Sequence, residues 1–153
     1  MEFFFVTDLH GKVNRYEKLF SAILEDKPDL VLLGGDLLPH GMHRGFYEDF
    51  IEDFFVKNFI DLKEKLGHEY PAIMLILGND DPRPDEEIFV KHAEAGLWHY
   101  IHKKKVSFDR WNFYGYSYVP PTPFRYKDWE RFDVSRYVDP GCISPLDFRL
   151  KLI

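Results

Sequence analysis

Residues 30–36 of the chain read Leu-Val-Leu-Leu-Gly-Gly-Asp. Four consecutive apolar residues are typical of a strand that is buried on both faces, as in a parallel sheet covered by helices. The two glycines permit a tight turn and a close approach of the backbone to a ligand where the strand ends. Asp36 therefore places a carboxylate at the carboxyl end of the strand, where ligands gather in open α/β sheets.

The same arrangement occurs on both sides of this segment. Residues 3–7 form an apolar run, which we expect to be a strand buried on both faces, and this run leads into Asp8-Leu9-His10-Gly11. Residues 72–77 form a third apolar run, which leads into Gly78-Asn79-Asp80-Asp81. Three buried strands that each end in polar residues predict a site where parallel neighbours bring those ends together.

The segments between and after the strands show a different periodicity. Apolar residues at helical spacing predict three helices, over residues 13–25, about 47–66 and 85–95. The order β-α-β-α-β-α predicts an α/β fold with a parallel sheet. The remaining segments predict short strands and, last, one or two helical turns, over residues 97–102, 106–108, 111–118 and 128–137. With no convincing linker, residues 1–153 are expected to form a single domain.

The composition narrows the class of function. The chain has 153 residues with 20 Lys+Arg and 26 Asp+Glu, so its formal net charge is -6. This acidic balance argues against non-specific binding to nucleic acid or to anionic membranes. The single cysteine, Cys142, excludes an internal disulfide and is typical of a reducing compartment. We therefore expect a cytoplasmic protein with no membrane span.

The residues at the three strand ends have the chemistry of metal ligands. Asp8 and His10 are two apart, so in an extended segment they would point to the same side. Asp36 could bridge two ions, and Asn79 offers a neutral oxygen. Such a mixed set of nitrogen and oxygen ligands suits Mn, Fe, Zn, Co or Ni, and two ions about 3.5–4 Å apart would clamp a phosphoryl group. One such motif alone is common in solvated turns, but three in this order favour a metal site.

These blocks resemble a known family. Asp8-x-His10-Gly11, Gly35-Asp36 and Gly78-Asn79 are similar to the first three blocks of the calcineurin-like metallophosphoesterases. Residues 115–124 and 127–130 also look like a stretch found in uncharacterised prokaryotic members. The resemblance implies an αββα sandwich of two mixed sheets, and hydrolysis of a phosphomonoester or phosphodiester at a binuclear site. It also implies that Asp8 and His10 bind the first metal, that Asp36 bridges, and that Asn79 binds the second.

The chain departs from this family in two ways. Asp80 stands where members commonly have a catalytic His, so its own role, orienting water or none, stays open. The downstream His ligands of the family are also absent, because no His occurs in residues 103–153. We therefore expect a C-terminally incomplete fold holding one ion or none. We favour truncation over a pseudoenzyme or a site completed by another subunit. An exposed apolar face then predicts marginal stability or self-association, or a complementing C-terminal chain.

Further polar residues are candidates for binding a small phosphate-ester substrate. His40 lies in the loop after Asp36 together with Arg44, and Arg83 follows the third strand end. The planar guanidinium group of an arginine can hold a phosphate by two hydrogen bonds. A solvated loop is the favoured explanation for His40, and surface arginines are common.

Overall fold

A four-stranded parallel sheet lies at the centre of the molecule. The structure, a computed structural model, describes residues 2–39, 49–123 and 127–132. The strands follow one another across the sheet in the order β1-β2-β3-β4. They are β1 (Phe3–Val6), β2 (Leu30–Leu33), β3 (Ala72–Leu75) and β4 (His99–Tyr100). In register, Val6 pairs with Leu33 and Leu33 with Leu75, so the first three strands end side by side.

Helices cover one face of this sheet. The helices are α1 (Val13–Asp26), α2 (Lys57–Leu66) and α3 (Glu86–Glu94), and a π-helical segment over Ile51–Val56 leads into α2. All three predicted helices are therefore present, with ends that differ by a few residues. Aromatic side chains fill the core between helices and sheet, where Tyr16, Phe55, Phe59 and Phe89 are each fully buried. Contacts between aromatic rings stabilise a core beyond the area that they bury.

The end of α1 shows how the local sequence sets an element boundary. Lys27 adopts the left-handed conformation with φ 47°, and its N–H donates to the carbonyl of Ile23. Pro28 follows, which favours the break because a proline disfavours a helical conformation in the residue before it. The chain then enters β2 directly.

The described residues cover the opposite face of the sheet only in part. An antiparallel hairpin of β5 (Lys105–Phe108) and β6 (Trp111–Tyr114) packs there against Leu30, Met74 and Ile101. Phe3 and Phe5 of β1, on the same face, remain 52% and 65% exposed. The expectation that β1 is buried on both faces is therefore wrong, because β1 is an edge strand that the hairpin leaves uncovered.

A groove lies between the uncovered strand and the hairpin. It has a volume of about 140 Å³ and is lined by apolar side chains, among them Phe5, Ile76 and Phe113. Tyr114, which also lines the groove, is 71% exposed, and Trp111 in the same hairpin is 50% exposed. Together these residues form an apolar surface that a second layer of structure would bury.

The last described residues differ from the prediction. Instead of a helical turn, residues 127–132 form a turn that bridges back to Val119. The N–H of Val119 donates to the carbonyl of Trp129, and the N–H of Arg131 donates to the carbonyl of Val119. The rest of the predicted turn, residues 133–137, lies outside the described residues. Among the described helices, none is both long and apolar enough to cross a bilayer.

Candidate metal centre

Three of the predicted ligands meet at the carboxyl ends of β1 and β2. Asp8, His10 and Asp36 each offer one ligand atom, and these atoms lie within 4.8 Å of one another. Nε2 of His10 is 3.6 Å from Oδ1 of Asp8. That separation is too long for a hydrogen bond. It matches two ligands of one ion, because bonds of about 2.0–2.2 Å at a tetrahedral angle place their ends about 3.4 Å apart.

Backbone hydrogen bonds hold the first two loops together. The N–H of Asp8 donates to the carbonyl of Gly35, at 3.1 Å, and the N–H of His10 donates to the carbonyl of Asp36, at 2.8 Å. One step further, the N–H of Gly11 donates to the carbonyl of Leu37, at 2.9 Å. The pairing of β1 with β2 thus continues beyond the strands, and it places Asp8 and His10 beside Asp36.

All three clustered residues have an unusual backbone conformation. The φ angles are 59° at Asp8, 50° at His10 and 54° at Asp36, in the left-handed region. Such a conformation costs on the order of 1 kcal/mol or more per residue, and it tends to occur at functional sites. We predicted that Asp8 and His10 point to the same side because the segment is extended. That reason is wrong, because the backbone is not extended at either residue. The two side chains lie close together where Asp8 has a left-handed conformation and His10 lies in the turn that follows it.

The third loop touches the second through two glycines. A Cβ added to Gly35 would lie 2.6 Å from Cα of Gly78, and a Cβ added to Gly78 would collide with the side chain of Asp36. Gly35 also has φ 99°, which side chains rarely tolerate. Glycine is therefore required at both positions for Asp36 and Asn79 to lie on neighbouring loops.

A buried carboxylate that sequence reasoning did not single out joins these two loops. Asp81 is only 1% exposed. Its Oδ1 accepts the N–H of Leu38, at 2.7 Å, and its Oδ2 accepts the N–H groups of Leu37, at 3.1 Å, and Gly78, at 2.8 Å. Burial raises the pKa of Asp81 to about 6, against the opposing effect of these three donors. The available signal was its place in the third block, beside Asn79 and Asp80.

Two side chains from α1 support the first two loops, and the sequence did not indicate either role. The hydroxyl of Tyr16 donates to the carbonyl of Leu37, at 2.7 Å, inside the core. The guanidinium of Arg15 donates to the carbonyl of Asp8. The helix therefore acts as a support for the loops that carry Asp8 and Asp36.

The electrostatics of the cluster favour a cation. Burial raises the pKa of Asp36, and the nearby carboxylates of Asp80 and Asp8 raise it further, although the N–H of Asp80 donates to Asp36 Oδ1 at 2.9 Å. Oδ2 of Asp80 lies 3.8 Å from Nδ1 of His10. Three carboxylates around one imidazole repel one another, and a divalent ion would relieve that repulsion. The donor set therefore fits one divalent ion.

The other predicted site residues lie around this cluster or outside the described residues. Asn79 is half-buried between Gly78 and Asp80, and its side chain makes no hydrogen bond to the described parts of the chain. Arg83 is half-exposed, with Nε 3.8 Å from Oε2 of Glu86. His40 and Arg44 lie in residues 40–48, which the structure does not describe.

Comparison with known proteins identifies a related family and a related fold. The sequence model of the family described as calcineurin-like phosphoesterase matches residues 1–141. Among curated proteins, no sequence matches significantly. A solved crystal structure is similar with a TM-score of 0.52 at 14% identity, over 82% of this chain, and the chain spans 56% of the length of that structure. The family match confirms the resemblance that the three sequence blocks indicated, and the α/β fold class with it.

Proposed function

Because the chain belongs to the calcineurin-like phosphoesterase family, we propose that it is a metal-dependent phosphoesterase that hydrolyses a phosphomonoester or a phosphodiester. The observation that carries this proposal is the convergence of Asp8, His10 and Asp36 at the carboxyl ends of two parallel strands. A cluster of two carboxylates and an imidazole suits divalent Mn, Fe, Zn, Co or Ni. The three residues come from two loops, so the fold and not the local sequence brings them together.

Each residue has a proposed role in that reaction. Asp8 and His10 would hold the first ion, Asp36 would offer its carboxylate to both ions, and Asn79 would offer its amide oxygen to the second. Bound divalent ions would supply an activated water and neutralise charge on the phosphoryl oxygens. Asp80, whose carboxylate lies beside His10, would orient water next to the cluster.

The phosphate ester itself is proposed to bind through cationic side chains at the rim. Arg83 follows the third loop, and its guanidinium is half-exposed. His40 and Arg44 follow Asp36 along the chain and complete the proposed set. A small phosphate ester fits this arrangement better than a long nucleic acid, because the protein carries a formal charge of -6.

Metal uptake combined with hydrolysis tests the proposal. Isothermal titration with Mn²⁺ and hydrolysis of p-nitrophenyl phosphate and bis-p-nitrophenyl phosphate would be compared between the natural chain and Asp36→Asn. We expect Asp36→Asn to lower hydrolysis by about 100-fold or more, since it removes a charged ligand. Asp49→Asn, at an exposed carboxylate outside the cluster, is the matched control and should retain full activity. Equal activity of Asp36→Asn and Asp49→Asn would refute the assignment of the site.

A second candidate function is a non-catalytic scaffold, or one half of a site that a partner chain completes. The observation that favours it is that, within residues 2–39, 49–123 and 127–132, only Asp8, His10 and Asp36 form a cluster of three ionisable metal ligands. A second ion would then have only Asp36 and Asn79 from this part of the chain. Intact folding with no uptake of Mn²⁺ would support the scaffold and contradict the enzyme.

A further inference from the structure

Three cationic side chains lie close to one tyrosine ring, that of Tyr118. Nζ of Lys103 lies 4.7 Å from the centre of the Tyr118 ring, Cζ of Arg131 lies 5.5 Å from it, and Cζ of Arg83 lies 5.8 Å from it. The three residues come from separate segments of the chain. The protein has a formal net charge of -6. A local cluster of three positive charges is therefore opposite in sign to the protein as a whole.

The positive charge of this cluster is only partly compensated. Arg83 has Glu86 at 3.8 Å, and its backbone N–H donates to Asp128. Among the ion pairs of the described residues, none includes Lys103 or Arg131. Lys103 instead reaches the hydroxyl of Tyr118, at 3.5 Å. Two cations that stay unpaired beside a third form a site that an anion would stabilise.

The cluster rests on a buried support that is fixed to the third loop of the metal centre. The Tyr118 ring packs against Trp129, at 5.7 Å between ring centres, and against His102, at 5.1 Å. Trp129 is 1% exposed, and its Nε1 donates to the carbonyl of Asp81, at 2.8 Å. The cations therefore contact packed aromatic rings, and the hydrogen bond from Trp129 to Asp81 links these rings to the loop that carries Asn79.

The distance to the metal centre is bounded by the chain itself. Arg83 is four residues from Asn79, and an extended chain spans at most about 3.5 Å per residue. The Cα atom of Arg83 is therefore at most about 14 Å from that of Asn79.

We propose that Lys103 and Arg131, together with Arg83 as a side chain shared with the reacting phosphate ester, form a second phosphate-binding site, which holds a non-reacting phosphate group of the substrate. This inference rests on the proposed phosphoesterase function and narrows its substrate to phosphate esters that carry two phosphate groups. The guanidinium groups supply paired donors for phosphate oxygens, and Lys103 supplies a point charge. The cations already cover the Tyr118 ring, so the site recognises charge and not a stacked base.

Binding of pyrophosphate to the full chain tests the site without any turnover. Isothermal titration in EDTA removes the contribution of bound metal. We expect Lys103→Ala to weaken binding about tenfold, and the double variant Lys103→Ala with Arg131→Ala about 100-fold, which is the usual value of one and two charged hydrogen bonds. Lys104→Ala removes the same charge from the same exposed turn and should leave the affinity unchanged. Equal effects of Lys103→Ala and Lys104→Ala on the affinity, or no binding of pyrophosphate to the natural chain, would overturn the proposal.

Hydrolysis then separates this inference from the proposed function. The readout is the ratio of KM values for a nucleoside 3′,5′-bisphosphate and for the corresponding 5′-monophosphate, followed by phosphate release. The double variant should raise that ratio about tenfold or more. An unchanged ratio would overturn the substrate assignment while the phosphoesterase proposal survives. Pyrophosphate binding that depends on Lys103, with hydrolysis of neither nucleotide and of neither nitrophenyl ester, would refute the phosphoesterase and its substrate assignment but leave the anion site in place.

Discussion

Asp81→Ala is the most informative single change in this protein. The carboxylate of Asp81 is the shared acceptor of the backbone N–H groups of Leu37, Leu38 and Gly78. Leu37 directly follows Asp36, and Gly78 directly precedes Asn79. Removal of the carboxylate therefore separates the two loops that carry the second and third blocks of the metal centre.

The size of the effect follows from burial and from the number of donors. Asp81 is 1% exposed, so water cannot replace the lost acceptor without a structural change. Each buried donor without a partner costs about 1–3 kcal/mol. Removal of a buried carboxylate returns part of that energy, because its desolvation is relieved. We expect a net loss of about 3–6 kcal/mol in the free energy of unfolding, a large share of the roughly 5–15 kcal/mol of a typical domain.

Urea denaturation followed by tryptophan fluorescence measures this loss. Asp81→Asn should cost less, about 1–3 kcal/mol, because its one carbonyl oxygen still serves some of the donors. Asp49→Ala is the matched control, since the exposed carboxylate of Asp49 accepts the N–H groups of Ile51 and Glu52. There water can replace the acceptor, and the expected cost is about 1 kcal/mol or less. If Asp81→Ala costs no more than Asp49→Ala, the three buried hydrogen bonds do not join the loops as argued.

Three further predictions concern pH, the glycine contact and the uncovered strand. Burial lowers the pKa of His102, whose Nδ1 accepts the N–H of Ser117. The unfolded chain therefore binds a proton at this position first as the pH falls below about 6.5, which lowers the free energy of unfolding between pH 7.5 and 5.5. Protonation of Asp81, whose pKa burial raises to about 6, acts in the opposite direction over this range. The readout is therefore the comparison with His102→Asn, whose urea midpoint should fall less, or rise more, from pH 7.5 to 5.5 than that of the natural chain. Gly78→Ala should weaken Mn²⁺ binding measured by calorimetry, because the added methyl group collides with Asp36; unchanged affinity would contradict the contact. Phe5→Lys should lower any self-association measured by analytical ultracentrifugation, because it places a charge on the exposed edge strand; a natural chain that is monomeric with a high melting temperature would contradict that expectation.

The positions of the helices and strands along the chain were largely predictable from the sequence. The structure has β2 at Leu30–Leu33 as predicted, and three helices at the predicted places. Their apolar periodicity arises from burial within each element, which is a local property of the sequence. The prediction for β1 was wrong on burial, because an apolar run does not show whether its strand lies at an edge or in the middle of a sheet.

In the candidate site, too, some features follow from the local sequence and others from how distant segments pack together. The sequence by itself determined which side chains stand at the strand ends, because the glycines and the acidic residues that follow the apolar runs are read directly. Only the tertiary structure decided that Asp8 and His10 come together through left-handed backbone conformations, that Asp81 joins two loops, and that three cations distant in the chain lie close to the Tyr118 ring. The physical reason is that the chemistry of a side chain is a property of its residue. Its burial and its partners depend on how segments far apart in the chain pack together.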